Sequence, residues 1–230
     1  MKFLTVADCH GKLSETSLKE QIGLMNAANR TEYDAVLFLG DNNTDDIECV
    51  KDWLKTNGIT APMYGVFGNH DSPYILGMNG IENIHGKVVE VSSIRIGGFG
   101  GCVKYKEGDP EQLFTQEEAI DMLSKLPECN LLITHSNPQF REYEKVDVTP
   151  KPANFFEKLK QKIIEPEHIY ENRLKSFGNA CHDGLVGIGD YIEKKTPKMC
   201  LHGHIHTQNE YIYRTTLIRS CYGIETVTFK

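Results

Sequence analysis

No apolar run in the 230 residues is long enough to cross a bilayer. The opening run Phe3 to Ala7 is broken by Asp8 and is too short for a signal peptide. No C-x-x-C pair occurs, and the seven cysteines are an odd number. Reduced thiols and a cytoplasmic location are therefore expected. Excess positive charge is also missing. Against 32 Asp+Glu stand 25 Lys+Arg, a formal net charge of -7 that disfavours a protein held on nucleic acid by bulk charge. There is no G-x-S-x-G, no Walker A sequence, no internal repeat and no low-complexity tract. What is present is ordinary for a globular chain: 40% hydrophobic and 25% charged residues exclude disorder, collagen and coiled coil as the main description. A domain of this length buries roughly 70% or more of its unfolded surface, so a large core is possible.

Strand and helix signals alternate through the first third. Lys2 to Ala7 reads as a buried strand, being apolar, partly β-branched and stopped by a polar cluster. Ser17-Leu-Lys-Glu20 has capping-box form, with Leu18, Ile22 and Met25 at helical spacing. Ala35 to Leu39 is a second buried strand. A helix from about Asp46 carries Ile47, Val50 and Leu54 on one face and stops near Asn57-Gly58. Met63 to Phe67 is a third strand, and the alternation predicts a layered α/β fold. Further on, Lys87 to Phe99 predicts a β-hairpin, and Gly97 to Gly101 a flexible loop. Thr115-Gln-Glu-Glu118 is another capping box, with Ile120, Leu123 and Leu126 behind it and Pro127 as the stop. Asn130 to Thr134 and Lys198 to Leu201 read as strands, Asp183 to Lys195 as a helix, and Tyr211 to Phe229 as a β-rich tail. Residues 137 to 181 hold four Pro and a Lys-rich helical stretch near Asn154 to Ile164. They fit no α/β unit and read as an insertion over the core of one domain spanning 1–230.

The polar clusters sit where strands end. Asp8-Cys-His10 follows the first strand, Gly40-Asp41 the second and Gly68-Asn-His-Asp71 the third. His135 ends the strand at 130–134, and Gly203-His-Ile-His206 the strand at 198–201. Sites in open α/β sheets collect at C-terminal strand ends, so five such ends point to one shared site. In extended backbone, residues i and i+2 face the same way, so Asp8 with His10, and His204 with His206, can each chelate one ion together. The donors are carboxylate, imidazole and amide oxygen, which suits Mn, Fe or Zn.

The order D-x-H, G-D, G-N-H-D, H, G-H-x-H resembles the calcineurin-like metallophosphoesterase superfamily, and the likeness runs from Asp8 to His206. G-N-H-D alone would arise by chance in roughly one such chain in a thousand, and four further motifs in order make coincidence negligible. The lead-in Ala61 to Asp71 is similar to that family's third motif. The resemblance implies a four-layer α/β/β/α sandwich of two mixed sheets flanked by helices. It also implies two divalent metal ions. Asp8, His10 and His206 would hold one, Asn69, His135 and His204 the other, and Asp41 would bridge them. Such a pair clamps a phosphoryl group and activates water. The histidine of G-N-H-D, here His70, is then not a ligand but a general acid or charge stabiliser near the leaving group. Asp71 would orient its ring.

Other residues are weighed beside these. His85 and His168 stand outside every motif and read as core or surface residues. His202 reads as structural and Cys9 as packing. His182 either caps a helix or reaches substrate phosphate, and Asn42 shapes the site beside Asp41. Lys151, Lys158, Lys160 and Lys162 read as a solvated helix face, or as a phosphate-attracting lid. Protein phosphatases resembling calcineurin carry G-D-x-x-D-R-G, whereas here the segment is Gly40-Asp-Asn-Asn-Thr-Asp-Asp46 without the arginine. The nuclease branch places a histidine where Thr44 stands, and a scaffold branch related to retromer subunits loses the histidine that His70 retains. The expected function is metal-dependent hydrolysis of a small phosphate ester, with Mn favoured. A phosphodiester such as a cyclic nucleotide is slightly preferred over a monoester or nucleic acid. A metal-dependent phosphate-binding module is the alternative from another class.

Overall fold

The structure, a computed structural model, describes residues 1–13, 32–106, 111–141 and 180–230. The capping box at Ser17, His168 and the lysine-rich stretch of the expected insertion lie outside the described residues.

Two large sheets lie face to face. The first has the order β13-β1-β2-β3-β4, built from β1 (Lys2–Ala7), β2 (Ala35–Phe38), β3 (Met63–Gly65), β4 (Glu82–Asn83) and β13 (Gly223–Thr228). β1 to β4 run parallel, and β13 returns antiparallel along β1. The second sheet has the order β11-β12-β10-β9-β6-β5. Its strands are β5 (Val88–Val91), β6 (Ile94–Phe99), β9 (Leu131–Thr134), β10 (Met199–His202), β11 (Asn209–Tyr213) and β12 (Thr216–Ser220). β6, β9, β10 and β12 are parallel, with an antiparallel strand at each edge. A small pair, β7 (Cys102–Val103) and β8 (Leu113–Phe114), stands apart from both.

Alternation along each strand sorts the side chains between layers. Phe3 and Ala7 of β1, Ala35 and Leu37 of β2, Leu131 and Ile133 of β9, and Leu201 of β10 fill the core between the sheets. Leu4 and Val6 with Val36 and Phe38 face outward, where α1 (Thr44–Thr56) covers them with Ile47, Val50, Trp53 and Leu54. Leu132 and Cys200 face the opposite way, under Ala119 and Leu123 of α3 (Gln116–Lys125) and Ile188 and Ile192 of α4 (Val186–Lys195). Burial on both faces explains why these strands read as continuous apolar runs. The result is the helix, sheet, sheet, helix sandwich, with mixed sheets and a short α2 (Ile75–Met78) beside β3.

The helix starts show how local chemistry sets the frame. Asn43 caps α1 and exchanges hydrogen bonds with Asp46, and Thr115 does the same with Glu118 at α3. α1 thus begins two residues before the expected Asp46, because Asp46 fills the third helical position of the box. The flexible loop expected over Gly97 to Gly101 shrinks to its last two residues. Gly97, Gly98 and Phe99 pair with β9 as the end of β6. The lack of side chains there admits Ile84, which a Cβ on Gly98 would meet at 2.6 Å. α4 starts at Val186 rather than Asp183, after a 3-10 turn at Ala180–His182.

Candidate metal centre

Parallel strands of both sheets deliver their C-terminal ends to one place. Asp8 follows β1, Asp41 follows β2, and Asn69 lies past β3. His135 follows β9, and His204 lies two residues past β10. Hydrogen bonds tie the two sheets together there. The Asp8 amide donates to Gly40 O at 3.0 Å, and the His204 amide donates to both Asp8 carboxylate oxygens at 3.1 and 2.9 Å. His135 Nδ1 lies 2.8 Å from Leu39 O.

Two donor groups result. Asp8, His10 and His206 form one, and Asp41, His135 and His204 the other, each with its ligand atoms within 4.8 Å of one another. Asp41 stands between them: its Oδ2 is 3.7 Å from His10 Nε2 and 3.6 Å from His135 Nε2. Those separations are too long for hydrogen bonds, but ligands bound at about 2.0–2.2 Å to one ion lie that far apart. His135 Nε2 also meets Asn69 Oδ1 at 3.0 Å, which puts the amide oxygen in the second group. His204 and His206 therefore fall in different groups, as the resemblance implies and unlike the sharing that extended spacing would allow. The backbone explains it. Asp8, His10, Asp41, His204 and His206 all have left-handed φ, between 50° and 71°, so neither pair is extended.

Carbonyls set the imidazole tautomers. With Nδ1–H donated to Leu39 O, His135 presents Nε2 to Asp41 and Asn69. His204 does the reverse, bonding Cys181 O through Nε2 at 2.7 Å and leaving Nδ1 for the centre. A backbone carbonyl behind each ring is the arrangement that orients metal-binding histidines. Burial holds His135 down to about 4, so the ring is neutral and its lone pair available. Burial and the neighbouring Asp41 push the Asp8 carboxyl up to about 8. Burial also raises Asp41, but His135, the His70 amide, the His70 ring and His10 outweigh it and hold it low. The donor set fits two divalent cations.

Glycine makes the approach possible. A Cβ on Gly40, at φ 94°, would stand 2.5 Å from His135 Nδ1, and one on Gly68 would overlap the Asp41 carboxylate.

The remaining residues separate by environment. His70 is exposed; its amide donates to Asp41 Oδ1 at 2.9 Å and its ring lies edge-on to His10, 5.5 Å between centroids. Asp71 does not orient that ring. Its Oδ2 accepts from the Asp41 and Gly68 amides, both at 2.7 Å, clamping two of the motif loops. Asn42 is likewise turned to the backbone, donating to Gly40 O at 2.8 Å, and is buried rather than open to substrate. His182 is no helix cap, since α4 begins four residues later; its ring stacks on His204 at 4.8 Å and is half-buried. His85 packs among Phe67, Phe99 and Phe114 and accepts from the Gly100 amide, while His202 is fully buried beside Gly203 O. Cys9 packs under α1.

Some residues were missed from the sequence. Asp46 accepts from the amides of Gly11 and Leu13 at 2.7 and 3.0 Å, holding the loop that carries His10. Tyr222 stacks on His206 at 5.5 Å. Cys102 and Cys181 form a third donor group with His204. Only Asp46 had a signal, the N-x-x-D spacing from Asn43.

Among the described residues no helix is long and apolar enough to cross a membrane. A crystal structure 14% identical in sequence superposes with a TM-score of 0.59, covering 100% of this chain and 99% of its own. TT1561 of Thermus thermophilus is 13% identical, with a TM-score of 0.53 over 98% of this chain and 97% of its own. The phosphopantetheinyl hydrolase PptH from Mycobacterium tuberculosis is 14% identical, with a TM-score of 0.49 over 96% and 89%. At these identities the first two likenesses show the fold alone. No curated protein matches the sequence. The profile described as calcineurin-like phosphoesterase matches residues 1–208 and so spans all the strand-end motifs; the chain belongs to that family.

Proposed function

We propose that this phosphoester hydrolase works through two divalent ions, Mn favoured, and acts on a small phosphate ester, a phosphodiester such as a cyclic nucleotide in preference to a monoester. Asp8, His10 and His206 would hold one ion, Asn69, His135 and His204 the other, with Asp41 shared. The observation that carries the reading is the single Asp41 oxygen facing His10 on one side and His135 on the other at nearly equal distances. Bound there, divalent ions supply Lewis acidity toward a phosphoryl oxygen and activate water for attack.

The chain's own groups do the rest. The His70 amide fixes Asp41 through Oδ1, so Oδ2 stays turned to both donor groups. The His70 ring stands exposed at the edge of the site, where it can hold a proton for a departing alkoxide. A poor leaving group gains most from that proton, and this supports the diester preference.

The test is a paired assay of metal-stripped protein on a chromogenic phosphodiester and a phosphomonoester, before and after Mn²⁺ is returned. Metal-restored cleavage with the diester faster is expected. His70→Ala should lower kcat on the diester by about 10²–10⁴-fold with metal content unchanged. Two ions bound with neither ester cleaved would instead favour a phosphate-binding module. Equal loss of metal and turnover in H70A would remove His70 from its assigned role.

A further inference from the structure

We infer that Cys102 and Cys181 are a redox-responsive dithiol that closes to a disulfide beside His204. Nothing in phosphoester hydrolysis by Asp, Asn and His donors calls for thiols, yet two stand against this ring. The Cys102 and Cys181 sulfurs and a His204 ring nitrogen lie within 4.8 Å of one another, and Cys102 Sγ donates to Val103 O at 3.4 Å. Cys181 Sγ is 3.6 Å from His204 Nε2. Both cysteines are buried, in a small apolar cluster with Leu113. They come from separate elements, the short β7 and the 3-10 turn at Ala180–His182, so a bond between them would join the turn to the β7–β8 pair. Cys9 and Cys129 face other partners, Ala7 O and the Tyr191 hydroxyl.

The oxidant is hydrogen peroxide. The Cys181 sulfur attacks one peroxide oxygen, the O–O bond breaks, and a sulfenic acid and one water result. The Cys102 sulfur then attacks the sulfenic sulfur, the S–O bond breaks, a second water leaves and the S–S bond forms. The two thiols supply both electrons and both protons, and an external dithiol reverses the step by exchange. An S–S bond of about 2.05 Å draws the Cys181 sulfur onto Cys102 and so changes its 3.6 Å contact with His204. It also pulls on the residue whose carbonyl accepts from the same ring. The effect on activity rests on the function proposed above; the bond itself does not.

Metal-loaded protein is treated with hydrogen peroxide, digested without reduction and analysed by mass spectrometry. The expected product is a Cys102–Cys181 cross-linked peptide, lighter by two hydrogens and reversed by dithiothreitol. Mn²⁺-dependent activity should fall about tenfold, as when a partner behind a metal-binding histidine is lost, and return on reduction. Cys102→Ser should form no cross-link, and peroxide should no longer change its activity; C102A serves if the serine variant fails to fold. A cross-link in protein that never cleaves a phosphate ester keeps this inference and removes the hydrolytic reading. Active protein in which Cys181 advances to a sulfinic acid, or pairs with another cysteine, overturns it. So does protection of both thiols by added Zn²⁺ with no disulfide formed.

Discussion

Asp46→Asn is the sharpest test of how the site is held. Asp46 is fully buried and bonds no ligand, yet its carboxylate accepts three backbone amides. Oδ2 takes Gly11 at 2.7 Å and Asn43 at 3.1 Å, and Oδ1 takes Leu13 at 3.0 Å. An asparagine can keep its oxygen where Oδ2 stands and so keep two of the three. Its NH₂ group then faces the Leu13 amide, donor against donor. One buried amide without an acceptor costs about 1–3 kcal/mol, and the two retained bonds lose their charge assistance. The sum is about 2–4 kcal/mol, or roughly 5–15 °C in Tm for a chain of this size. Because Gly11 to Leu13 continue the chain from His10, the first ion should bind more weakly too. Asp45→Asn is the control: it is exposed in the first turn of α1 and touches neither loop. Thermal melts and Mn²⁺ titrations of both variants decide. If D46N melts within a degree or two of D45N and binds metal as tightly, the clamp is not what holds the His10 loop.

Gly40→Ala should lose roughly 2–5 kcal/mol in urea unfolding, from left-handed strain plus overlap with His135. Gly58→Ala, also left-handed but with open space around it, should lose only the strain; equal losses would refute the overlap argument. His135→Ala should retain one ion per chain by metal analysis, since His135 belongs to one donor group; loss of both or of neither breaks the proposed division. The pH dependence of metal-free protein follows from opposed groups. Burial lowers His85, His135 and His202 to about 4, and these rings make stability rise with pH up to their unfolded value near 6.5. Burial raises Asp8 to about 8 and Asp71 to about 7, so the folded state holds protons that the unfolded chain has released. That contribution is full below about pH 4 and lost as pH rises through the folded values. Above about 6.5 the carboxyls act together with His204, which burial lowers but Cys181 hydrogen bonds raise overall, while the Cys181 thiol, held down to about 4, opposes them. The Asp8 part is read as a difference, metal-free wild type losing about 1–2 kcal/mol more than Asp8→Asn between pH 6.5 and 8. Equal losses in metal-free wild type and Asp8→Asn across that window would refute the Asp8 assignment.

What was legible in the sequence followed from periodicity and from chemistry placed at strand ends. β1, β2 and β9 lie within a residue of their expected bounds because burial on both faces leaves an uninterrupted apolar run. The residues of both donor groups were also legible, since Asp, Asn and His at five strand ends have no packing reason to be there. Their division came from the family resemblance and not from spacing. Periodicity describes extended chain, and His204 and His206 part company because the chain turns left-handed at both. The supporting residues were illegible for a different reason. Asp71 and Asn42 sit inside the motifs but act on backbone amides and carbonyls, and no spacing rule distinguishes a carboxylate aimed at a ring from one aimed at an N–H. Cys102 and Cys181, 79 residues apart, meet only through the packing of β7 against the turn.

The backbone itself carries part of the site's cost. Among the described residues eight that are not glycine have left-handed φ, and five of them are the donors Asp8, His10, Asp41, His204 and His206. Each costs about 1–2 kcal/mol relative to relaxed backbone. A protein selected only for stability would not gather that strain at one end of its sheets. The turns exist because parallel strands deliver their ends side by side, while one centre needs side chains converging from both sheets; a left-handed residue reverses the chain within a step. Strain of this kind persists only where neighbours over-determine it. Here the neighbours are buried polar groups bonded to the backbone: Asp46 on the first loop, Asp71 on the second and third, and Asn42 on Gly40. If such a clamp is removed, the freed loop recovers strain energy as it relaxes, so the measured stability loss understates the bonds lost. Metal affinity has no such compensation, because the relaxed loop no longer points its donor inward. A clamp variant is therefore damaged more in metal binding than in folding.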